Sequence, residues 1–436
     1  MSDPIRVGLV GLGTVGQGVL RVLRNNVDEI ERRVGRRLVV THVATKDLAL
    51  NSEPLDGITV SDDALASVRD AEVDVFVEVM GGYTIAKQVM LAAIARGKPV
   101  VTANKALLAE HGNDIFGAAA AAGVAVGFEA AVAGGIPIIK AVREGLSGNR
   151  IDSVAGIING TCNYILTQMT MKGQGFAEAL ADAQKLGYAE ADPTFDIEGV
   201  DSAHKLALLA SIAFGMPLAF KSVYCEGISK IGAQDIQAAQ ALGYRIKLLG
   251  LTRRDESGVS MRVHPTLVPD DQLIARVDGV VNAVVAHGNA VGTVGFFGRG
   301  AGGDPTASAI VADLVDVARN LGADARHQVP VLGFRTDALQ PLPLLPIAEV
   351  HSSHFLRLSV ADEAGVLKAI TSVLAESEIS IEGILQKEPR EHEDASVALI
   401  TSVVQESRFE TALQRLLALP FVRDGVSHIR VEHFRD

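Results

Sequence analysis

The first strand-like run of the chain leads directly into a glycine pattern. "IRVGLVG" is followed by "LGTVGQG", which places Gly11, Gly13 and Gly16 in GxGxxG spacing ahead of a helix-like run. In a strand–turn–helix, the first glycine allows the tight turn, the second lets a pyrophosphate approach the backbone, and the third lets helix and strand pack closely. A helix that begins at Thr14 and Val15 directs its N–H groups at the phosphates. The pattern predicts a dinucleotide site; the alternative is an ordinary turn.

The first 130 residues or so alternate two kinds of segment. "RLVVTHVAT", "VDVFVEVMGG", "KPVVTANK" and "GVAVGFEA" are nearly continuous apolar runs, as in parallel strands that are covered on both faces. Helix-like runs lie between them, and two of these stop at Gly97 and Gly123. The alternation predicts an α/β fold with a doubly wound, Rossmann-like sheet over residues 1–135, on which a helix at 304–321 packs back.

The remainder of the chain has a different pattern. Residues 136–345 mix helix-like runs with apparent antiparallel strands such as "YRIKLLGLTRR" and "VSMRVHPTLV", which predicts an α+β catalytic and dimerisation domain. A segment with three prolines between Arg335 and Ser352 is typical of a linker. Residues 346–436 follow the order βαββαβ, which predicts a small ferredoxin-like module.

Length and composition limit the possible functions. A chain of 436 residues is too long for one ordinary domain. The net charge of −12 disfavours nucleic acid and anionic membrane surfaces as partners, and no apolar run is long enough to span a bilayer. Two cysteines, and a strand pattern that starts at the N-terminus without room for a signal peptide, fit a reducing cytoplasm.

Two lysines follow strands at the edge where ligands bind to open α/β sheets. In "VATKD", Lys46 favours the 2′-phosphate of NADP, whereas the adjacent Asp47 favours the ribose of NAD. In "TANKALLA", Lys105 stands where a strand passes into a helix, and the positive end of a helix is a poor place for a cation without an anionic partner. We therefore expect Lys105 to contact cofactor and substrate; the alternative for either lysine is an exposed surface position.

An acidic segment, "GYAEADPTFDIEGVDSAHKLALLA", carries the other candidate residues. Asp201 and Lys205 are four residues apart, so they share the inward face of a predicted helix, whereas Glu190 and Asp196 lie in the preceding loop. A buried lysine needs a partner, and Asp201 is the obvious one. Spacing alone leaves a structural ion pair and an acid/base lysine equally acceptable. His204, one position off that face, is expected to be satisfied or exposed.

Cys162 suggests a competing enzyme. A thiol nucleophile would make the protein a semialdehyde dehydrogenase that acts through a thioester. That chemistry needs a base beside the thiol, and no sequence neighbour provides one. A cysteine that packs at the start of a helix is the preferred interpretation.

Taken together, these motifs make the chain similar to the homoserine dehydrogenases of the long, monofunctional bacterial type with a C-terminal ACT domain. The resemblance extends over essentially all residues and is carried by "GLGTVGQG", "TANKALLA", "EAAVAGGIPII", "GIINGTCNYIL", "GYAEADPTFDIEGVDSAHK" and "GRGAGGDPTASAIVAD". It implies reversible hydride transfer between L-aspartate 4-semialdehyde and L-homoserine, with NADP or NAD, in threonine, methionine and isoleucine biosynthesis.

The resemblance also implies roles for individual residues. Lys205 matches the proton donor and acceptor, and Lys105 matches a lysine near the substrate and the nicotinamide. Glu190 and Asp201 match carboxylates that hold the substrate, with Asp196 in support. These roles suit the chemistry, because a protonated lysine stabilises charge that develops on a carbonyl oxygen.

Three further implications concern ligands and assembly. Glu129 and the carbonyl groups of Val132, Gly134 and Ile136 match a structural site for a monovalent cation, usually sodium. "NGT" and the loop with Gly302 are expected to line the cleft. The ACT domain either binds threonine as a feedback inhibitor or serves as a dimerisation module, in a homodimer or homotetramer. A non-catalytic sensor that only binds ligands is the alternative from another class of protein.

Overall fold

The computed structural model of the chain describes residues 3–323, 328–387, 394–423 and 425–434. The strands are β1 (Ile5–Val10), β2 (Leu38–Ala44), β3 (Thr59–Ser61), β4 (Val75–Glu78), β5 (Val100–Thr102), β6 (Val126–Gly127), β7 (Ile151–Ile157), β8 (Tyr224–Cys225), β9 (Tyr244–Arg254), β10 (Val259–Pro269), β11 (Val281–Gly288), β12 (Gly292–Arg299), β13 (His351–Val360), β14 (Ile381–Lys387), β15 (Ala395–Thr401), β16 (Val404–Gln405) and β17 (Ser427–Val431).

The α-helices are α1 (Thr14–Asn25), α2 (Val27–Val34), α3 (Ala64–Asp70), α4 (Thr84–Ala95), α5 (Lys105–Ala122), α6 (Ile138–Lys140), α7 (Gly160–Lys172), α8 (Phe176–Lys185), α9 (Thr194–Ile197), α10 (Val200–Phe214), α11 (Ala233–Ala241), α12 (Gly303–Asn320), α13 (Val366–Glu376) and α14 (Glu406–Leu417). None of them, over the described residues, combines the length and apolar composition needed to cross a membrane. The chain divides into two compact units: residues 1–154, 204–221 and 282–342 form the first, and residues 155–203, 222–281 and 343–436 form the second.

The first unit contains a six-stranded sheet in the order β3-β2-β1-β4-β5-β6. Its neighbouring strands pair in parallel throughout, which confirms the predicted doubly wound fold. The strands are apolar because both faces are covered: every residue of β1 except Arg6 is buried, so neither face is open to solvent. On one face, Val7 and Leu9 share a core with Val19 of α1 and Leu314 of α12. The strand order reverses between β1 and β4, and ligands bind at that point in such sheets.

Three short elements of the first unit were absent from the sequence-based expectation. They are α2, β3 and α3, of eight, three and seven residues. β3 spans only "TVS", too short for an alternating or continuous apolar pattern to identify it. Helix α12 packs on α1 closely enough that a Cβ on Gly18 would lie 2.8 Å from the carbonyl oxygen of Gly303.

The second unit contains strands in the order β9-β10-β17-β13-β15-β14. β9 and β10 form the predicted antiparallel pair, from Val259 opposite Arg254 to Pro269 opposite Tyr244. Residues 351–431 have the predicted βαββαβ order, and their core lies between the sheet and helices α13 and α14. The last strand of this module, β17, pairs in parallel with β10, so the module and the β9–β10 pair share one sheet.

The proline-rich segment is more ordered than the predicted linker. The Val259 N–H donates to the carbonyl oxygen of Pro343 at 2.8 Å, and the Leu345 N–H donates to the carbonyl oxygen of Val259 at 2.9 Å. Residues 343–345 therefore pair with the start of β10. Proline lacks an N–H but keeps its carbonyl, so a proline-rich segment can still accept hydrogen bonds from a neighbouring strand.

Candidate active site

The three glycines of the first turn differ in the space around them. Gly11 has a φ of +105°, and a Cβ there would lie 2.6 Å from the carbonyl carbon and oxygen of Val79. A Cβ on Gly16 would lie 2.2 Å from the carbonyl oxygen of Gly11. At Gly13, by contrast, nothing lies within 4 Å of the position of a Cβ. The turn is therefore closed by protein at two glycines and open at Gly13, where a ligand can approach the backbone.

The open glycine is also the N-cap of α1. Because Gly13 has no side chain, it offers no capping oxygen to the first turn, which starts with Thr14 and Val15. Exposed N–H groups and the positive end of the helix dipole favour an anion such as a pyrophosphate. Gly302 is the N-cap of α12, which packs on α1.

A cavity of about 720 Å³ opens at the same edge of the sheet. Lys46 and Asp47, after β2, line it together with Gly11, Gly13 and Met80. Its lining also includes two acidic residues that the sequence argument did not identify, Asp62 and Asp63. Asp63 is the N-cap of α3, and its side chain accepts the Ala66 N–H at 2.9 Å. An aspartate at a helix N-cap is the signal in the sequence that could have identified this residue.

Lys105 is the first residue of α5, immediately after the carboxyl end of β5. The preceding residue, Asn104, is the N-cap of this helix, and its amide donates to the carbonyl oxygen of Gly82 at 2.8 Å. The Asn104 N–H donates to Thr102 Oγ1 at 3.0 Å, and that hydroxyl donates to Glu78 Oε2 at 2.6 Å. Glu78 is fully buried, and burial raises the pKa of its carboxyl. These bonds fix the ends of β4 and β5 and the backbone that carries Lys105.

Glu129 is buried and forms several interactions. Its carboxylate accepts the backbone N–H groups of Ile139 at 2.8 Å and Lys140 at 2.9 Å, and its own N–H donates to Asp313 Oδ2 at 2.8 Å. Burial raises the pKa of both carboxyl groups, and the neighbouring Glu129 contributes to the rise of the Asp313 pKa to about 7. Two buried acids at one place form an environment that a cation stabilises.

The three carbonyl groups expected at a cation site lie in the turn after Glu129. A Cβ on Gly134, whose φ is +52°, would lie 2.5 Å from the carbonyl oxygen of Gly300. The Ile136 carbonyl accepts the Ile138 N–H at 2.7 Å, and Val132 is fully buried. Backbone carbonyls and a carboxylate are oxygen donors of the type that a hard cation prefers, so these residue types fit such an ion chemically.

In the second unit, Asn159 links two of the acidic residues. Its Nδ2 donates to Asp196 Oδ1 at 2.7 Å and to Asp201 Oδ2 at 2.9 Å, while its Oδ1 accepts the Cys162 N–H at 2.8 Å as the N-cap of α7. Asn159 was not among the individual residues predicted from the sequence. An asparagine immediately before a helix-like run is the N-cap signal that could have identified it.

The acidic loop is anchored to the first turn of α7 in two more places. Thr161 Oγ1 donates to the carbonyl oxygen of Tyr188 at 2.7 Å, and Cys162 Sγ donates to the carbonyl oxygen of Asp196 at 3.2 Å. Cys162 is fully buried, so its thiol holds the loop and is closed to solvent. Glu190 is exposed, and Gln184 donates to its backbone carbonyl at 3.1 Å.

Helix α10 carries Asp201 and Lys205 one turn apart, with exposed fractions of 4% and 8%. Burial is not confined to one face, because every residue from Asp201 to Phe214 is buried. His204, which could have been exposed on the sequence argument, is 3% exposed, and its ring centroid lies 4.3 Å from that of Phe220. The residue spacing identified the buried face of the helix but could not show that the rest is covered as well.

His354, Glu406 and His428 are a group with ligand atoms within 4.8 Å of one another, as in a metal site. His354 Nδ1, however, lies 2.9 Å from His428 Nε2, which is a hydrogen bond between the two rings. Glu406 already accepts Arg430 Nε at 3.2 Å. A guanidinium on this carboxylate opposes a second cation, so the group is a buried hydrogen-bonded network.

The parallel sheet, the glycine turn that is open at Gly13 and the cavity beside it define a dinucleotide-binding enzyme of the doubly wound α/β class. Comparison with known families agrees. The homoserine dehydrogenase NAD-binding domain matches residues 11–129, the homoserine dehydrogenase domain matches residues 137–315, and the ACT domain matches residues 354–421.

Individual relatives match over nearly the whole chain. The homoserine dehydrogenase of Pseudomonas aeruginosa is 53% identical over 98% of this chain and 99% of its own length. The homoserine dehydrogenase of Neisseria gonorrhoeae is 48% identical over 99% of this chain and 100% of its own length. The crystal structure of a homoserine dehydrogenase from Thiobacillus denitrificans superposes with a TM-score of 0.94 at 51% identity, over 99% of both chains.

The chain belongs to the homoserine dehydrogenase family. It is an oxidoreductase with an NAD(P)-binding domain, a catalytic domain for a small-molecule substrate and a C-terminal ACT domain. The semialdehyde dehydrogenase that would act through Cys162 and the non-catalytic sensor are not favoured.

Proposed function

We propose that Lys205 moves the proton in the reaction between L-homoserine and L-aspartate 4-semialdehyde. When bound, the dinucleotide accepts or supplies the hydride. Lys205 Nζ takes the hydroxyl proton as the alcohol is oxidised, and it returns the proton to the carbonyl oxygen in the reverse direction. The observation that carries the proposal is the burial of Lys205 on α10, one turn after the buried Asp201.

Asp196, Asp201 and Glu190 hold the α-ammonium of the substrate in this proposal, and Lys105 contacts substrate and nicotinamide. Support for the carboxylates comes from Asn159, which donates to both Asp196 and Asp201 and so gathers negative charge at one place. Support for Lys105 comes from its position after the carboxyl end of β5, beside the edge where the cavity opens.

The binding role is tested with D196N and D201N. Removing the carboxylate partner of the ammonium loses a charge-assisted hydrogen bond of about 1.5–3 kcal/mol, so we expect KM for homoserine to rise at least about tenfold. The dissociation constant for NADP should stay at the wild-type value in both variants. If KM for homoserine were unchanged in both, these carboxylates would not hold the substrate.

We also propose that NADP is preferred over NAD. Among the residues that line the described cavity, Lys46 carries the positive charge that a 2′-phosphate requires, whereas Asp47, Asp62 and Asp63 favour a ribose hydroxyl. K46A should lower the ratio of kcat/KM for NADP to that for NAD by about tenfold, as expected for the loss of one charge-assisted contact. D47A is the matched control and should raise the ratio. A ratio that stays constant in K46A would remove Lys46 from this role.

A monovalent cation, sodium in the first instance, is proposed to bind Glu129 and the carbonyl groups of Val132, Gly134 and Ile136. The support is chemical: these are oxygen donors, and Glu129 is buried next to a second acid. Thermal unfolding at constant ionic strength should show stabilisation by sodium chloride relative to tetramethylammonium chloride. Equal unfolding temperatures in the two salts would contradict the site.

The remaining proposals concern organisation. We propose three domains, at residues 1–135, 136–345 and 346–436, a homodimer or homotetramer, a cytoplasmic location and threonine as an effector of the ACT domain. The βαββαβ module at residues 351–431 is consistent with an effector site, and Cys162 and Cys225, both among the described residues, form no disulfide, which is consistent with a reducing compartment. Light scattering measures the assembly, and a threonine titration measures inhibition and thermal shift. No effect of millimolar threonine on either would refute the effector.

A further inference from the structure

Asn159 uses all of its amide hydrogen-bonding groups at the acidic loop. Both Nδ2 hydrogens are directed at carboxylates, Asp196 Oδ1 at 2.7 Å and Asp201 Oδ2 at 2.9 Å, and Oδ1 accepts the Cys162 N–H at 2.8 Å. The opposite orientation of the amide would place its oxygen against two carboxylates and its NH₂ against an N–H group. The three partners therefore fix the orientation of the amide. At 5% exposure, Asn159 is shielded from water.

Two carboxylate oxygens that share one nitrogen lie close together, and their charges repel. A neutral donor is suited to that position. An apolar side chain would leave these two hydrogen bonds unmade, whereas a lysine or arginine would add a positive charge. Asparagine offers two N–H bonds without adding charge, and the positive end of the α7 dipole adds further compensation. Asn159 thus adds no positive charge that would compete with a cationic ligand.

The position of the loop backbone is secured by other groups. Thr161 Oγ1 holds the Tyr188 carbonyl, and Cys162 Sγ holds the Asp196 carbonyl. Losing the two Asn159 Nδ2 bonds therefore changes the orientation of the carboxylates more than the path of the chain.

We propose that Asn159 is a positioning residue that holds the carboxylates of Asp196 and Asp201 together, as a docking site for the ammonium group of an α-amino alcohol or aldehyde substrate. The proposal rests on the proposed function, in which these carboxylates hold the substrate. It extends that function by assigning the alignment of the acids to the N-cap of α7.

The test compares two substitutions that separate helix capping from carboxylate bridging. Asp and Ser are both good N-caps, so each keeps the start of α7. N159S removes both N–H donors, and N159D replaces them with a third carboxylate. We expect N159S to raise KM for homoserine about tenfold, the loss of one net charge-assisted hydrogen bond, and N159D to raise it further. The dissociation constant for NADP, measured by fluorescence titration, should be unchanged in both.

Asn163 provides a matched control in the next turn of α7. Its amide is 1% exposed and donates to the carbonyl oxygens of Val277 at 3.0 Å and Val281 at 3.1 Å, without a carboxylate partner. N163S should lower the unfolding temperature and leave KM for homoserine at the wild-type value.

The outcomes are distinguishable. A wild-type KM in folded N159D overturns the positioning role, because capping alone would then account for Asn159. If N159D fails to fold, N159S carries the same test, and a KM within twofold of wild type in N159S overturns it too. If D196N and D201N also leave KM unchanged, the proposed function itself fails; if they raise KM while N159D and N159S do not, only this inference fails.

Discussion

Alanine substitutions in the glycine turn are expected to affect protein stability and cofactor binding separately. At Gly13 the backbone has a φ of −74° and a ψ of −163°, which alanine adopts freely, and nothing lies within 4 Å of a Cβ. Alanine there should leave the free energy of unfolding unchanged or raise it by about 0.4–1 kcal/mol, because it restricts the unfolded chain. The new methyl group, however, occupies the space that a pyrophosphate needs.

Alanine at Gly11 should have the opposite effect on the free energy of unfolding. Its φ of +105° is unfavourable for alanine, and a Cβ would lie 2.6 Å from the Val79 carbonyl. Backbone strain of about 1–3 kcal/mol and a steric overlap of similar cost should lower the free energy of unfolding of G11A by at least about 2 kcal/mol. G13A should instead bind NADPH about tenfold to a hundredfold more weakly, which corresponds to about 1.4–2.8 kcal/mol.

The assay is a urea unfolding curve for each variant together with a fluorescence titration of NADPH. G117A is the matched control, because Gly117 is an exposed glycine inside α5 with nothing within 4 Å of a Cβ. It should stabilise the helix by up to about 1 kcal/mol and leave NADPH affinity unchanged. Wild-type affinity in G13A, or a loss of stability in G13A equal to that in G11A, would refute the reasoning.

Two further predictions concern buried polar groups. Burial lowers the pKa of His354 to about 2, whereas an unfolded histidine titrates near 6.5, so the unfolded state binds the extra proton below pH 6.5. The wild type should therefore lose about 2 kcal/mol of stability from this residue between pH 7 and pH 5, and H354Q should show a shallower loss in urea unfolding at the two pH values; equal slopes would contradict this. T102V removes the hydroxyl that donates to Glu78 at 2.6 Å and accepts the Asn104 N–H. Thermal unfolding should report a loss of about 1–3 kcal/mol and steady-state rates a lower kcat, and T102S should restore both; a wild-type kcat in T102V would exclude a positioning role for these bonds.

Much of the fold follows from local pattern. The apolar strands and the glycine-stopped helices of the first unit alternate in the order that predicts a parallel α/β sheet, and the observed strand order confirms the doubly wound form. The βαββαβ order of residues 351–431 could likewise be predicted from its strand-like and helix-like segments. Short elements such as β3 were missed because three residues carry no periodicity. The parallel pairing of β17 with β10 joins residues such as Thr266 and Arg430 that are remote in sequence, and nothing local specifies that register.

For the candidate site, the sequence and its family resemblance supplied residue types and assigned roles, but not the partners. Asp201 and Lys205 are four residues apart, so helical spacing placed them on one face. Asn159 lies 37 residues from Asp196 and 42 from Asp201, and only the folded loop brings its amide to both. The bond from Thr102 to Glu78 likewise depends on two adjacent strands that are separated in sequence by a helix.

The most direct test of the central claim is the turnover of K205M with homoserine and NADP, followed at 340 nm. Methionine is unbranched and one heavy atom shorter than lysine, so it fills most of the same buried space and removes the group that moves the proton. General acid–base catalysis contributes about 10²–10⁴-fold, so kcat should fall by that factor while the dissociation constant for NADP stays at the wild-type value. A K205M enzyme that folds, binds NADP and turns over within tenfold of the wild type would contradict the account.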